Sequence, residues 1–290
     1  MKNYNIFLFS LFIVTLFACR PKPLEIDLPP FENQVVVISQ VIPDALMTVA
    51  LTNTIDALEF SESEGDSLND NLLDQLLVSD AIVTISYRDQ KDTLFPVTDG
   101  VYTSLFTPSY INENYVLDIK TDDHELRAES EMLPVVRFEE ALPVLERIEE
   151  DTLVTFNFKI ADEPGDNWYM INFYAQTDTI TGELDLNSFL NSSNGNVLKK
   201  TELLSDLAFD NNQFEGTIDL PSISPSDTMF VTLSNINEDY YDYLQIRQSS
   251  TNFFTELTKE PVSLPTNVEG GIGFFNTHFP DVKVYDLKEF

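Results

Sequence analysis

The chain has 290 residues, 43% of them hydrophobic, and carries 49 acidic side chains against 16 basic ones, a formal net charge of −33. That apolar fraction excludes a disordered chain and suffices for one large domain or two of ordinary size. The charge excludes nucleic acid as a partner, because a surface of that sign repels phosphate.

The amino terminus is read first. Lys2 precedes 13 mostly apolar residues, Ile6 to Ala18, interrupted by Ser10 and Thr15. That run suits the hydrophobic core of a signal peptide and is short for a bilayer-spanning helix. The only cysteine, Cys19, closes Leu16-Phe17-Ala18-Cys19. This resembles a bacterial lipobox, with a small residue before the cut and a thiol after it. Residues 1–18 are therefore expected to be removed as a lipoprotein signal peptide, and Cys19 to carry the lipid that holds the protein to a membrane. Acyl chains contribute about 0.8 kcal/mol per buried methylene, so several together anchor stably. Residues 19–31, with Pro21 and Pro23, read as the lipidated tether. Arg20 and Lys22 precede Glu25 and Asp27, which leaves the membrane face undecided. No thiol remains for a disulfide, so packing alone must stabilise the folded part.

A strand period dominates the rest. Residues 34–39 and 45–52 form two β-rich runs around the turn signal Pro43-Asp44. Residues 81–87 alternate, and 89–92 are expected to turn into a strand at 93–97. Further strands are expected from Gly100, at 115–120 and at 126–130. Seven strands with regular turns predict a β-sandwich over residues 32–133. An acidic insertion interrupts it: Leu68, Leu72, Leu73, Leu76 and Leu77 share one helical face, predicting a short amphipathic helix packed on the sandwich. The glutamate-rich segment 134–150, with Pro134 and Pro143, is expected to be a linker. Residues 151–290 then form a second β-rich domain, with strands at 153–160, 168–174 and 228–233. Asn237 to Phe254, with Tyr240, Tyr243 and Leu244, predict an amphipathic helix across its sheet. The expected class is mainly β, two tandem sandwich-like domains.

Few residues suggest chemistry. His124 and His278 are far apart in sequence, and neither has a neighbouring ligand residue, whereas a zinc site needs three or four convergent donors. His124, in Asp122-Asp123-His124-Glu125, reads as a hairpin tip. Asp206 to Glu215 holds oxygen ligands suited to calcium without the spacing of a helix-loop-helix calcium site; whether calcium binds there is left open. No nucleophile elbow or phosphate-cradling loop occurs. No cofactor and no catalytic residue are expected. Trp168, Tyr169 and Tyr174 read as core aromatics rather than a pocket lining. Asn267-Val268-Glu269-Gly270-Gly271-Ile272-Gly273-Phe274-Phe275 is distinctive, because three of nine glycines fall within four residues. It reads as a tight turn feeding the last strand, with a structural role.

Taken in order, the lipobox, Leu24 to Pro29, the strand pair 115–130 with Leu133-Pro134, Tyr240-Tyr241-Asp242-Tyr243-Leu244 and the motif Asn267, Gly270, Gly271, Gly273, Phe274, Phe275 resemble a Bacteroidota lipoprotein family known as a domain of unknown function. The resemblance spans nearly the whole mature chain. It implies an immunoglobulin- or transthyretin-like first domain, a second β-rich domain, an outer-membrane location, and genes often lying beside those of TonB-dependent receptors. The expected role is a non-catalytic binding or accessory subunit of a TonB-dependent transporter. A structural or adhesive cell-surface lipoprotein is the alternative.

Overall fold

The computed structural model describes residues 32–42, 46–54, 76–104, 109–148, 151–161, 164–176, 198–208, 213–220, 223, 228–249 and 265–290. Residues 1–31, with the expected signal peptide, Cys19 and the expected tether, and the insertion up to residue 75, with most of its expected helix, lie outside them. Residues 33–290 belong to one compact unit.

Eight strands lead off: β1 (Val35–Ile42), β2 (Leu46–Asn53), β3 (Ile82–Tyr87), β4 (Gln90–Thr93), β5 (Phe95–Thr98), β6 (Val101–Thr103), β7 (Asn114–Lys120) and β8 (Glu125–Glu131). With β15 (Val268–Glu269) and β16 (Ile272–Phe274) they make two five-stranded sheets, ordered β16-β1-β2-β6-β5 and β15-β8-β7-β3-β4. Alternation selects the inward face. Along β8, Leu126, Ala128 and Ser130 are buried while Glu125, Arg127, Glu129 and Glu131 are exposed. Inward residues of both sheets share one core, among them Val37, Met47, Leu51, Val83, Ile85, Tyr102, Tyr115 and Leu117. The chain crosses between the sheets at each edge. Buried Leu94 joins β4 to β5 at one side, and Gly270-Gly271 joins β15 to β16 at the other.

The expected turn at 89–92 is tighter than predicted. Tyr87 pairs with Gln90, so only Arg88 and Asp89 make the bend, Arg88 with φ of 51°. Leu76 is buried, and Leu77 packs against Val36, Ile38, Ala50 and Val101 on the outer side of β1 and β2. Those two leucines of the insertion are core contacts.

A second pair of sheets contains β9 (Phe138–Ile148), β10 (Asp151–Ala161), β11 (Trp168–Gln176), β12 (Leu198–Ser205), β13 (Gln213–Leu220), β14 (Thr228–Ile236) and β17 (Asp281–Asp286). Their orders are β13-β10-β9 and β12-β11-β14-β17. The segment 134–150 is therefore mostly strand, not linker. Its prolines hid this in the sequence, but β9 is an edge strand, where a residue lacking a ladder N–H is tolerated. The core between the sheets is aromatic: Phe156 meets Phe173 edge-on at 5.2 Å, and Phe138 and Phe158 flank it. Full burial of such a ring contributes about 2–3 kcal/mol.

One helix, α1 (Glu238–Ser249), lies wholly within the described residues. Glu238 and Asp239 occupy its first turn and Arg247 its last, each charge matched to the helix dipole. Tyr240, Tyr243 and Leu244 pack with Met170 and Ile236 on the second face of the β11/β14 sheet. The mainly β expectation, with a helix near the C-terminus, holds.

Candidate functional site

The motif at 267–275 begins with an asparagine whose side-chain amide makes three hydrogen bonds to the backbone. The Asn267 side-chain nitrogen Nδ2 donates to the carbonyls of Glu129 (3.0 Å) and Phe275 (2.7 Å), and Oδ1 accepts from the Phe275 N–H at 2.9 Å. This ties the two ends of the motif together and to β8. Val268 then pairs with Ala128, antiparallel, and Ile272 to Phe274 run parallel to Val36 to Ile38. The segment thus completes both sheets of the first sandwich and is more than a turn into the last strand.

Gly270 and Gly273 hold φ of 81° and 109°, values that side chains rarely adopt. Space is lacking as well. A Cβ on Gly273 would stand 2.0 Å from the Val37 carbonyl oxygen, and one on Gly271 would stand 2.6 Å from that of Val35. The backbone of β1 therefore fills the volume beside these glycines.

Phe274 and Phe275 point to opposite sides. Phe275 is fully buried in the first core. Phe274 joins the α1 cluster, its ring 5.3 Å from those of Tyr240 and Tyr243. Two consecutive residues therefore belong to different cores, and β16 is the joint between them.

A buried polar strip continues the joint. Ser39 Oγ accepts from the Asn276 N–H at 2.8 Å, and Ser130 Oγ accepts from the Thr277 N–H at 2.9 Å. Thr277 Oγ1 lies 3.1 Å from Ser130 Oγ. Asn276 Nδ2 lies 3.1 Å from His278 Nδ1. All five side chains are buried, and burial pushes the His278 imidazole down to about 4, so it is neutral near pH 7. Sequence reading missed this strip. The available signal was Ser39 and Ser130, polar residues on buried strand positions, where a hydrogen-bond partner is required.

A family model described as "Domain of unknown function (DUF4249)" matches residues 21–279. The chain belongs to this family. The match runs through the whole DUF4249 joint and stops just after His278. No curated protein matches the chain.

The remaining candidates of this DUF4249 domain are dispersed. His124 caps the β7–β8 hairpin, where its N–H donates to Thr121 Oγ1 at 2.9 Å. Tyr169 lies in the second core, and Trp168 packs beside α1. Of the calcium-suited stretch, residues 209–212 lie outside the described residues. Asp206 accepts from the Asn167 N–H and side-chain amide at 2.8 and 3.0 Å, and Glu215 pairs with Lys159 at 3.2 Å. Among the described residues no group of three or more His, Cys, Asp or Glu side chains is placed to hold a metal.

Proposed function

We propose that this protein is an outer-membrane lipoprotein, anchored through lipid on Cys19, that acts as a non-catalytic binding or accessory subunit of a TonB-dependent transporter. The observation that carries the reading is the position of Cys19, the sole cysteine, directly after an apolar run of signal-peptide length. The resemblance to Bacteroidota lipoproteins encoded beside TonB-dependent receptors supplies the partner class. Contact, not chemistry, is the proposed mode of action, with sheet faces and loops offering surface to a barrel. Two measurements test this. Mass spectrometry of the processed protein should find an acylated N-terminal Cys19, and Cys19→Ser should abolish it. Purification through this protein in detergent should recover a barrel receptor; an unacylated N-terminus or the lack of any barrel would overturn the corresponding half of the proposal.

A further inference from the structure

The outer face of the β13-β10-β9 sheet carries three exposed apolar residues, Leu142, Val144 and Leu153. Register places Leu142 beside Asn157, Val144 beside Thr155, and Leu153 beside Glu146. Leu142, Val144 and Leu153 therefore form one diagonal apolar row on the solvent side. They are 58%, 51% and 38% exposed. A depression of about 330 Å³ adjoins Leu142, over Gly216.

Carboxylates frame the row. Glu140 and Glu146 flank it along β9, and Glu215 and Asp219 lie across the sheet on β13. The one cation on this face within those registers, Lys159, is held by Glu215 at 3.2 Å and Glu139 at 4.0 Å. Nearby Lys200 is paired with Glu202 at 3.3 Å. Thr155 is also occupied, donating to Asp219 at 2.9 Å. The polar groups thus satisfy one another, and the apolar row is left facing water inside an acidic rim.

We propose that this face is a docking surface for a protein segment presenting an apolar ridge bordered by lysine or arginine. Charge complementarity selects that occupant. A second copy of the chain, itself at −33, would set like charges against the rim. Strand addition along β9 is hindered by Pro143, which has no N–H to offer, and the apolar row stands on the face of the sheet, where side chains and not ladder groups make the contact. The inference rests on the reading of this protein as a binding subunit and names the surface that would serve it.

A fluorescent peptide of alternating leucine and lysine is the probe, titrated against the full chain by anisotropy. The charge-neutral pair Leu142→Ser with Val144→Ser should weaken binding by about tenfold or more. The pair Val282→Ser with Val284→Ser, exposed on β17, should change it less than about twofold. Both pairs alter exposed side chains, and unchanged melting curves would verify their folding. Equal weakening by the two pairs, or none by the first, overturns the proposal, because attraction to an acidic surface in general would then explain the binding. The same variants separate this surface from the transporter role. If a barrel is recovered equally well with Leu142→Ser/Val144→Ser, the surface fails and the role stands. If the peptide discriminates the faces and no barrel is recovered, the role fails and the surface stands.

Discussion

Replacing His278 by glutamine should make the protein less sensitive to acid. The imidazole is 3% exposed, with Nδ1 beside Asn276 Nδ2 at 3.1 Å. Burial lowers its pKa from 6.5 to about 4. Between those values the unfolded chain binds a proton that the folded chain does not. Stability therefore falls as the pH drops through 6.5, and the loss is complete below the folded value. A shift of that size corresponds to a total of roughly 3 kcal/mol, of which about 2 kcal/mol is already lost at pH 5. The assay is urea unfolding of wild type and His278→Gln at pH 7 and pH 5. Protonation of the many carboxylates acts on both proteins and cancels in their difference. Whatever the substitution costs at pH 7, the stability of wild type relative to the variant should drop by about 2 kcal/mol between the two pH values. A difference that stays constant would refute the argument, since the imidazole would then not be buried in its neutral form.

Three further substitutions probe the joint. Gly273→Ala forces a Cβ against the Val37 carbonyl at a φ of 109°, and should cost on the order of 3 kcal/mol or more, read as a fall in melting temperature. Phe275→Ala empties a fully buried position in the first core and should cost about 3–5 kcal/mol in urea unfolding. Asn267→Ala removes the partners of the Phe275 N–H and of two carbonyls and should cost about 1–3 kcal/mol, with amide exchange at Phe275 accelerated.

Local sequence carried the strands with strong apolar patterns. β3, β7 and β10 bury apolar residues at period two, β1 and β11 are β-branched or aromatic runs buried on both faces, and the structure places all five within a residue or two of the expected limits, except for the later end of β1. β9, β12, β13 and β17 were not legible. In β17, Val282 and Val284 face solvent while Asp281 and Lys283 are half-buried, which inverts the usual polarity. In β13, Gly216 interrupts the run because the Phe158 ring occupies the place of its side chain; a Cβ there would stand 2.5 Å from the ring. β9 is masked by glutamates and Pro143. The helix was legible because Tyr240, Tyr243 and Leu244 fall on one face. In the motif, clustered glycines signalled close backbone approach, but nothing local could say that β1 and β8, more than a hundred residues away, were the strands approached. Pairing across such a distance is a property of topology, not of the window in which a motif is read.

The arrangement of strands also bears on how such a protein would meet a partner. The outermost strands of the first sandwich are short: β4 and β5 have four residues each, β15 two and β16 three. Pro96 lies in β5, and the chain crosses between sheets at Leu94 and at Gly270-Gly271. Short edges and edge prolines discourage strand addition by another chain. The long edge strand β9 carries Pro143 at its centre. Association through backbone ladders is therefore disfavoured along the edges of the first sandwich and along β9, whereas the edge strands β12 and β13 run for eight residues each without a proline. The β13-β10-β9 face offers side-chain contacts instead, combining exposed apolar residues with a rim of carboxylates that outnumber Lys159. Contact on that face is side chain to side chain and electrostatically selected, and it needs no donated strand.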